Sequence, residues 1–311
     1  MSLLAEYALT PDVFDVDSYS SEEVCAVHVQ TLKDVLLHEA VVRNLYDGNW
    51  ARLFADTNRG WHKRAKELLK KLGKQNRLVR FPAQASTPPS SDPEWCVEAL
   101  ASHTAAPLSG IIVTDVVAGG FTGQAAVSAV HKLPTASWWS GRKSSLRLAR
   151  TLPNYAQALD LVARYANSIM YIDPYLDPTL GHYRDFAKLL VDMGAVAPSR
   201  LVELHRVAWR GSSQDKRPVC DEIERAFCDE LTGPVRKARM RIEVFLWDDF
   251  HDRYLISDLV GIQMSNGFDT TQAPNSITTW SRLGRADRDD VQREFDRAST
   301  RHRLCGRFEI Q

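Results

Sequence analysis

Short apolar runs alternate with amphipathic helical patterns in the second half of the chain, and this order strongly constrains the fold. The run Ser168–Ile172 is continuously apolar and of strand length. Apolar character on both faces is typical of a strand buried under helices. Strand-like runs at 201–207 and 241–247 follow it, separated by helical patterns near 183–192 and 220–231. This alternation predicts a sheet with helices packed against it.

The remaining segments of the second half predict what kind of sheet this is. A helical pattern at 155–166 precedes the first run, and strand-like segments at 251–257, 260–264 and 305–310 follow the last, with a charged helical pattern near 289–298. Long crossovers therefore join only the first strands, as parallel pairing requires. The sequence predicts an α/β fold with a mixed β-sheet flanked by helices.

The first half has a different character. A capping box, Ser20 with Glu23, precedes a helical pattern that we extend to about Leu45, and a second helix is predicted at 61–72. Ile111–Thr114 is a short strand-like run. These patterns predict a mainly helical α+β module.

The character of the chain changes after about Pro153, where the alternating pattern begins. Pro82–Pro93, rich in proline and serine, is the clearest linker-like stretch, but it lies inside the first half. We therefore predict two domains: an N-terminal module at 1–150, whose role the sequence does not indicate, and a second domain at 151–311.

Charge is balanced over the whole chain but not along it. Lys plus Arg and Asp plus Glu number 39 each among 311 residues, so no global basic field indicates nucleic-acid binding. The predicted helix at 61–72 nevertheless carries a basic face. Two interpretations stay open for that face: a solvated helix surface, or a contact with nucleic acid or an acidic partner. Its basic residues, with two that extend the run, are Lys63, Arg64, Lys66, Lys70, Lys71, Lys74 and Arg77.

Cysteine usage and hydropathy predict the compartment. The chain has five cysteines, an odd number at wide spacings without a C-x-x-C pair, so a disulfide framework or zinc ribbon is not expected. Residues 1–17 are acidic and lack the pattern of a signal peptide. No run approaches the roughly 18 apolar residues of a membrane span. We expect a soluble cytoplasmic protein that does not act on membranes.

Residues 247–258, WDDFHDRYLISD, carry the strongest chemical signal. Alternate positions of a strand share one face, so His251 and Arg253 are predicted to point the same way. Histidine can exchange protons at neutral pH and can itself attack phosphorus. Arginine holds phosphate oxygens bidentately. With Asp258 as an acid able to orient the imidazole ring, the three residues are predicted to be catalytic at a phosphate site.

Polar residues beside strand ends are candidates for binding the substrate. Asp173 and Tyr175 directly follow the apolar run Ser168–Ile172, and functional groups in α/β sheets tend to lie beyond the carboxyl ends of strands. Ser265 and Asn266 form a polar turn after the predicted strand at 260–264. Their hydroxyl and amide groups could hold further phosphate oxygens.

The motif His251-x-Arg253-x-x-x-x-Asp258 resembles the His-x-Lys-x-x-x-x-Asp signature of the phospholipase D superfamily. The turn at Ser265 occupies the place of the Gly-Ser-x-Asn element that typically follows that signature, and Ile172–Leu176 resembles the entry strand of many members. The resemblance covers roughly residues 156–311. It departs from the superfamily pattern in two ways, since arginine replaces the signature lysine and the Gly-Ser-x-Asn element is permuted.

The resemblance implies a metal-independent phosphodiesterase that needs no cofactor, and a nuclease is the leading expectation within that class. In the superfamily one motif histidine forms a phosphohistidine and a second protonates the leaving oxygen. This chain has one good copy of the motif, which implies a homodimer in which His251 of each chain meets at a two-fold axis. DNA or RNA is the expected substrate because no targeting or membrane-binding segment is present.

Other interpretations of the motif stay open. The acids and His251 could be hydrophilic turn residues between two strands. A metal site is disfavoured because so many ligands within five residues cannot all converge without a dedicated loop. The departures at Arg253 and Ser265 leave a further alternative: a catalytically inactive module that binds nucleic acid or a partner protein.

Overall fold

The chain folds into two compact units. The computed structural model describes residues 2–196, 200–210 and 216–311. One unit spans Leu4–Lys143, and the other contains Ser144–Gln311 together with the residues before Leu4. The division falls a few residues before the predicted boundary at 150, because Ser145–Ala149 forms a strand that pairs with Ile277–Arg282 of the second unit.

The N-terminal unit contains a five-stranded parallel sheet with strand order β3-β2-β1-β4-β5. Each strand is short, and all four neighbouring pairs are parallel. The order reverses between β1 and β4, the arrangement of a doubly wound sheet. The strands are β1 (Ala5–Leu9), β2 (Ala40–Asn44), β3 (Leu78–Arg80), β4 (Gly110–Val113) and β5 (Val127–Ala129).

Helices flank this sheet and bury its apolar residues in one core. The helix α3 buries Ala65, Leu68, Leu69 and Leu72, one apolar stripe at helical spacing. The helices are α1 (Glu22–His38), α2 (Leu45–Arg52), α3 (Lys63–Lys74), α4 (Asp92–Ala105), α5 (Asp115–Gly119) and α6 (Ser137–Ser140).

This unit is mainly helical, as predicted, but its five strands form one parallel sheet, so it is α/β and not α+β. The helix predicted to reach Leu45 ends at His38, and β2 follows at once. Residues Ala40–Arg43 are buried, which suits a central strand covered on both faces. The helical spacing of apolar residues in α1 continues into Ala40–Asn44, so these residues were predicted as helix. Capping by Ser21, which accepts a hydrogen bond from the backbone N–H of Val24, begins the helix.

The C-terminal unit contains an eight-stranded mixed sheet with strand order β13-β9-β8-β7-β10-β11-β12-β6, as the predicted fold class requires. The central strands β7, β8 and β9 are parallel, and every other neighbouring pair is antiparallel. The strands are β6 (Ser145–Ala149), β7 (Ser168–Ile172), β8 (Leu201–Val207), β9 (Arg241–Trp247), β10 (Tyr254–Ser257), β11 (Gly261–Met264), β12 (Ile277–Arg282) and β13 (Leu304–Ile310).

Long helices form the crossovers between the parallel strands, as predicted. α8 connects β7 to β8, and α9 connects β8 to β9. On one side of the sheet an aromatic cluster that includes Trp247, Phe250 and Phe295 is buried. The helices are α7 (Leu152–Tyr165), α8 (Arg184–Val196), α9 (Cys220–Lys237) and α10 (Arg285–Glu294). Among the described residues, no helix is long and apolar enough to span a lipid bilayer.

One edge of the mixed sheet collects loops from five strands. The carboxyl ends of β7, β8 and β9 lie at this edge because the three strands are parallel. The antiparallel strand β10 begins there, and β11, antiparallel to β10, ends there. Residues that are far apart in sequence therefore lie close together at this edge.

Candidate functional site

Asp173 lies at the centre of this edge, directly after β7, and its side chain is fully buried. The backbone N–H groups of Tyr175 and Phe268 donate hydrogen bonds to its carboxylate over 3.1 and 3.4 Å. The hydroxyl of Tyr183 donates a third over 3.0 Å. Burial raises the pKa of Asp173, and these donors together with Arg253 act in the opposite direction. The carboxylate is thus a fixed internal anchor.

Arg253 is held by this anchor at the start of β10. Its Nε atom lies 3.6 Å from Oδ1 of Asp173, and its guanidinium carbon lies 5.2 Å from the ring centroid of Tyr175. A quarter of the side chain (25%) is exposed. A guanidinium oriented by a carboxylate and an aromatic ring, and still reachable from solvent, suits bidentate binding of a phosphate.

Gly267 allows the loop after β11 to close over this pair. Its φ angle is +65°, a conformation that glycine adopts at little cost. A Cβ atom at this position would lie 2.0 Å from Oδ2 of Asp173 and 3.0 Å from Cδ of Arg253. Only glycine therefore fits, and this residue was not singled out by the sequence analysis, although Asn-Gly is a turn signal.

Ser265 and Asn266 occupy the same loop, but the hydroxyl of Ser265 is engaged with the loop itself. It accepts a hydrogen bond from the backbone N–H of Thr279 over 3.0 Å and lies 3.1 Å from the hydroxyl of Thr278. It also donates to the side-chain oxygen of Asn266 over 3.2 Å. These contacts connect the ends of β11 and β12. The structure gives Ser265 a loop-closing role, and its role as a phosphate ligand stays a prediction.

His251 lies on the surface two residues before Arg253. Its side chain is 66% exposed, and its Nε2 atom is 3.9 Å from Oδ2 of Asp249. The predicted strand at 251–257 begins only at Tyr254, so a shared strand face is not what places His251 and Arg253 together. The imidazole is open to a ligand or to another protein chain.

Asp258 is not part of this site, and the prediction that it orients His251 is wrong. Its carboxylate accepts a hydrogen bond from the backbone N–H of Asn167, just before β7, and its carbonyl accepts one from Arg288. The whole of β10 separates it from Arg253, a distance of roughly 16 Å for five residue steps along an extended chain. The segment between His251 and Asp258 includes all of β10, so Asp258 lies at the opposite end of this strand.

Two more cations lie at the same edge and were missed by the sequence analysis. Arg210, after β8, is 3.1 Å from Oδ2 of Asp177. The ammonium group of Lys216 pairs with Asp249 and lies 5.9 Å from the ring centroid of Trp209. The position of Arg210 just beyond a predicted strand was a usable signal.

One exposed aromatic ring, that of Tyr175, lies at this edge and packs on the buried ring of Trp209. The rings of Tyr175 and Trp209 meet edge to face with their centroids 6.0 Å apart, and the side chain of Tyr175 is 38% exposed. Over the described ranges, no group of three or more His, Cys, Asp or Glu side chains is arranged to hold a metal ion. The accessible charges of this edge include the cations Arg253, Arg210 and Lys216 and the acids Asp249 and Asp252.

Comparison with known proteins adds little to this geometry. No protein-family model matches the chain, and no curated protein matches it. A solved structure of TrmBL2, an archaeal chromatin protein with a novel mode of DNA binding, matches with a TM-score of 0.28 and 11% identity, covering 75% of this chain and 79% of that chain. A likeness this low carries no argument about fold or function.

Proposed function

We propose that the C-terminal unit binds a phosphodiester at Arg253 and His251 and cleaves it without a metal ion, with nucleic acid as the substrate. The observation that carries this proposal is the arrangement of Arg253. Its guanidinium is oriented by the buried carboxylate of Asp173 and by the ring of Tyr175, with the exposed imidazole of His251 two residues away. Bidentate binding by arginine orients a phosphate for attack by a neighbouring nucleophile.

The chemistry requires two histidines. Nε2 of one His251 attacks phosphorus, so that a P–N bond forms and the P–O bond to the leaving oxygen breaks. A second histidine donates its proton to the leaving oxygen and then takes a proton from water, whose oxygen attacks the phosphohistidine. The P–N bond breaks, and both imidazoles return to their starting states.

A second copy of the chain is the proposed source of the second histidine. The side chain of His251 is 66% exposed and so remains accessible to a symmetry-related His251. A two-fold axis through this edge brings two copies of one surface together. We therefore propose that the active form is a homodimer.

Nucleic acid is favoured over other diesters by the surface around the site. Arg210 and Lys216, which pair with Asp177 and Asp249, provide further cations at the same edge as Arg253, and the exposed ring of Tyr175 can stack on a base. All five cysteines are free, which supports a reducing compartment, and we propose the cytoplasm.

A cleavage assay tests this proposal. The full-length chain is incubated with single-stranded DNA, RNA and bis(p-nitrophenyl) phosphate in excess chelator, and we expect His251→Ala to lower the rate at least about 100-fold. His131→Ala is the matched control, because His131 is also exposed and lies 2.9 Å from an acid, Asp115, in the other unit. Activity that requires a metal ion, or that survives in His251→Ala, contradicts the mechanism.

A second candidate function is binding without cleavage. It is favoured by the position of Asp258 at the far end of β10, which leaves His251 without the acid predicted to orient it. Such a module would retain affinity for phosphodiesters through Arg253. A chain that binds a labelled oligonucleotide in an Arg253-dependent manner, remains monomeric and cleaves nothing would support this second function and contradict the first.

A further inference from the structure

The exposed face of α3 in the N-terminal unit concentrates positive charge. Within Lys63–Lys74 there are six cations and one acid, Glu67, in a chain whose net charge is zero. The apolar side of the helix is buried in the core, so these side chains all lie on the outer side. The exposed cations are Lys63, Arg64, Lys66, Lys70, Lys71 and Lys74, and we call them the α3 basic face.

The charges of this face are not neutralised by the protein. Within the part of the chain that the structure describes, none of the six side chains forms a salt bridge. Lys66 and Lys70, and Lys70 and Lys74, are like-charged pairs four residues apart, which disfavour a helix. Lys63 and Arg64 lie in the first turn, where the helix dipole disfavours cations. The Glu67–Lys71 pair and the position of Lys71 and Lys74 in the last turn offset part of this cost, and an anion bound at the face reduces the repulsion between the lysines.

A small pocket adjoins the same face. It has a volume of about 200 Å³ and lies between α1 and α3. Lys33 of α1 faces Arg64 and Lys71 across it, with Val29 and Leu68 as apolar lining. Three cations around so small a volume, against the single acid Glu67, make a pocket suited to one phosphate group.

From these observations we propose that the α3 basic face binds the phosphate backbone of a double-stranded nucleic acid. Lys63, Lys66, Lys70 and Lys74 follow one another at intervals of three or four residues and form a strip along the helix. The strip extends over roughly 16 Å at 1.5 Å per residue. A duplex presents one phosphate per strand about every 3.4 Å of its axis, so the length of the strip matches roughly five base-pair steps.

Other polyanions fit this face less well. A protein interface depends on buried aromatic or apolar anchors, and α3 exposes none because Ala65, Leu68, Leu69 and Leu72 are buried. For the same reason the helix has no apolar face to insert into a membrane. Single strands require aromatic stacking, which α3 does not offer. Backbone binding to a duplex requires only charge and its spacing.

This surface is independent of the site at His251, and its test is a binding measurement. Fluorescence anisotropy of the full-length chain with a labelled 20-base-pair duplex, DNA in one arm and RNA in the other, is recorded over a range of salt concentrations. For Lys66→Gln/Lys70→Gln we expect at least about tenfold weaker binding near 0.1 M salt, and a salt slope shallower by about 1.8, since each phosphate contact contributes about 0.9.

Three variants make the result specific. Lys132→Gln/Lys237→Gln removes the same charge from exposed positions elsewhere and should bind like the unmodified chain. Lys66→Arg/Lys70→Arg should retain binding, and His251→Ala should leave the contribution of the α3 basic face unchanged. The proposal is overturned if the two Gln pairs behave alike, if no duplex binds at low salt, or if anionic vesicles or acidic proteins bind through α3 while duplexes do not.

Discussion

The two units place polar groups at the carboxyl ends of their strands in opposite ways. In the N-terminal unit Asp12, after β1, accepts hydrogen bonds from the hydroxyl and the backbone N–H of Thr114, after β4, and is only 2% exposed. Arg59 bridges Asp15 and Asp92 beside it. In the C-terminal unit the corresponding edge leaves cations and His251 accessible.

A position beyond a strand end therefore does not by itself define a site. Asp12 and Thr114 lie where the strand order reverses, the place that doubly wound sheets commonly use for ligands. Their polar groups are nevertheless buried against each other. Arg253 forms an ion pair with a buried carboxylate at 3.6 Å but is itself 25% exposed. The N-terminal unit instead carries a row of exposed cations along α3.

The largest expected effect comes from removing the buried anchor of the C-terminal site. Asp173→Ala leaves Arg253 without its carboxylate and the hydroxyl of Tyr183 without its acceptor, so the free energy of unfolding should fall by about 3–5 kcal/mol. Asp258→Ala, which removes the other acid near the motif, should cost about 1 kcal/mol. Urea denaturation measures both, and equal losses would mean that Asp173 is not an anchor.

Two glycines with left-handed backbones provide the next comparison. Gly123, in the N-terminal unit, has φ +91° and open space within 4 Å of the place where a Cβ atom would lie, whereas at Gly267 that place is 2.0 Å from Oδ2 of Asp173. Gly123→Ala should cost about 1–2 kcal/mol from backbone strain alone. Gly267→Ala should cost a further 1–3 kcal/mol, roughly the penalty of overpacking, and should weaken phosphodiester binding.

Urea denaturation and a binding titration check this pair. The idea that Gly267 is required by the site, and not only by its turn, fails if the two alanine variants lose the same stability and bind a phosphodiester equally well.

The pH dependence of stability tests the burial of Asp12 at the strand ends of the N-terminal unit. Burial raises the pKa of Asp12, with hydrogen bonds from Thr10 and Thr114 opposing it. The folded state therefore keeps the proton to higher pH than the unfolded chain, whose value is about 3.9. This contribution to stability is full below that value and is lost as the pH rises through the folded-state pKa.

Asp12→Asn removes this titration. The stability of the unmodified chain relative to the variant should fall as the pH rises from about 4, and denaturation midpoints at several pH values measure it. A relative stability that rises with pH, or that stays constant, would contradict the raised pKa.

The smallest effect concerns α3. Lys70→Gln relieves repulsion with Lys66 and Lys74, and thermal unfolding should show a gain of a few tenths of a kcal/mol, since each such pair costs about 0.2–0.5 kcal/mol. Lys132→Gln should leave stability unchanged. A loss of stability in Lys70→Gln would indicate that this lysine serves the fold, and the self-repulsion argument for the α3 basic face would fail.

The sequence predicted the C-terminal sheet better than the N-terminal one for a physical reason. The strands β7, β8 and β9 are runs of five to seven residues that are rich in apolar side chains, so each can be recognised in the sequence without knowledge of the fold. In the N-terminal unit β2 directly follows α1, so helical periodicity concealed it, and β3 and β5 have only three residues each. Strands this short are specified by their neighbours in the sheet.

The part of the candidate site that depends on local sequence could be predicted. Asp173 and Tyr175 were found because they lie just beyond the end of β7, and Arg253 was found from the His-x-Arg pattern. Tyr183 and Gly267 were missed because their roles exist only once two loops meet over the carboxylate. Asp258 was misplaced because spacing along a sequence does not tell at which end of a strand a side chain lies.

In the proposed function Arg253 and His251 together bind a phosphodiester. NMR of the full-length chain follows this binding through the imidazole signals while dimethyl phosphate or a dinucleotide is added. We predict that the His251 signals shift saturably in the unmodified chain and not in Arg253→Ala, while the His131 signals stay in place in both. Unchanged His251 signals, or the same shift in Arg253→Ala, would contradict the account.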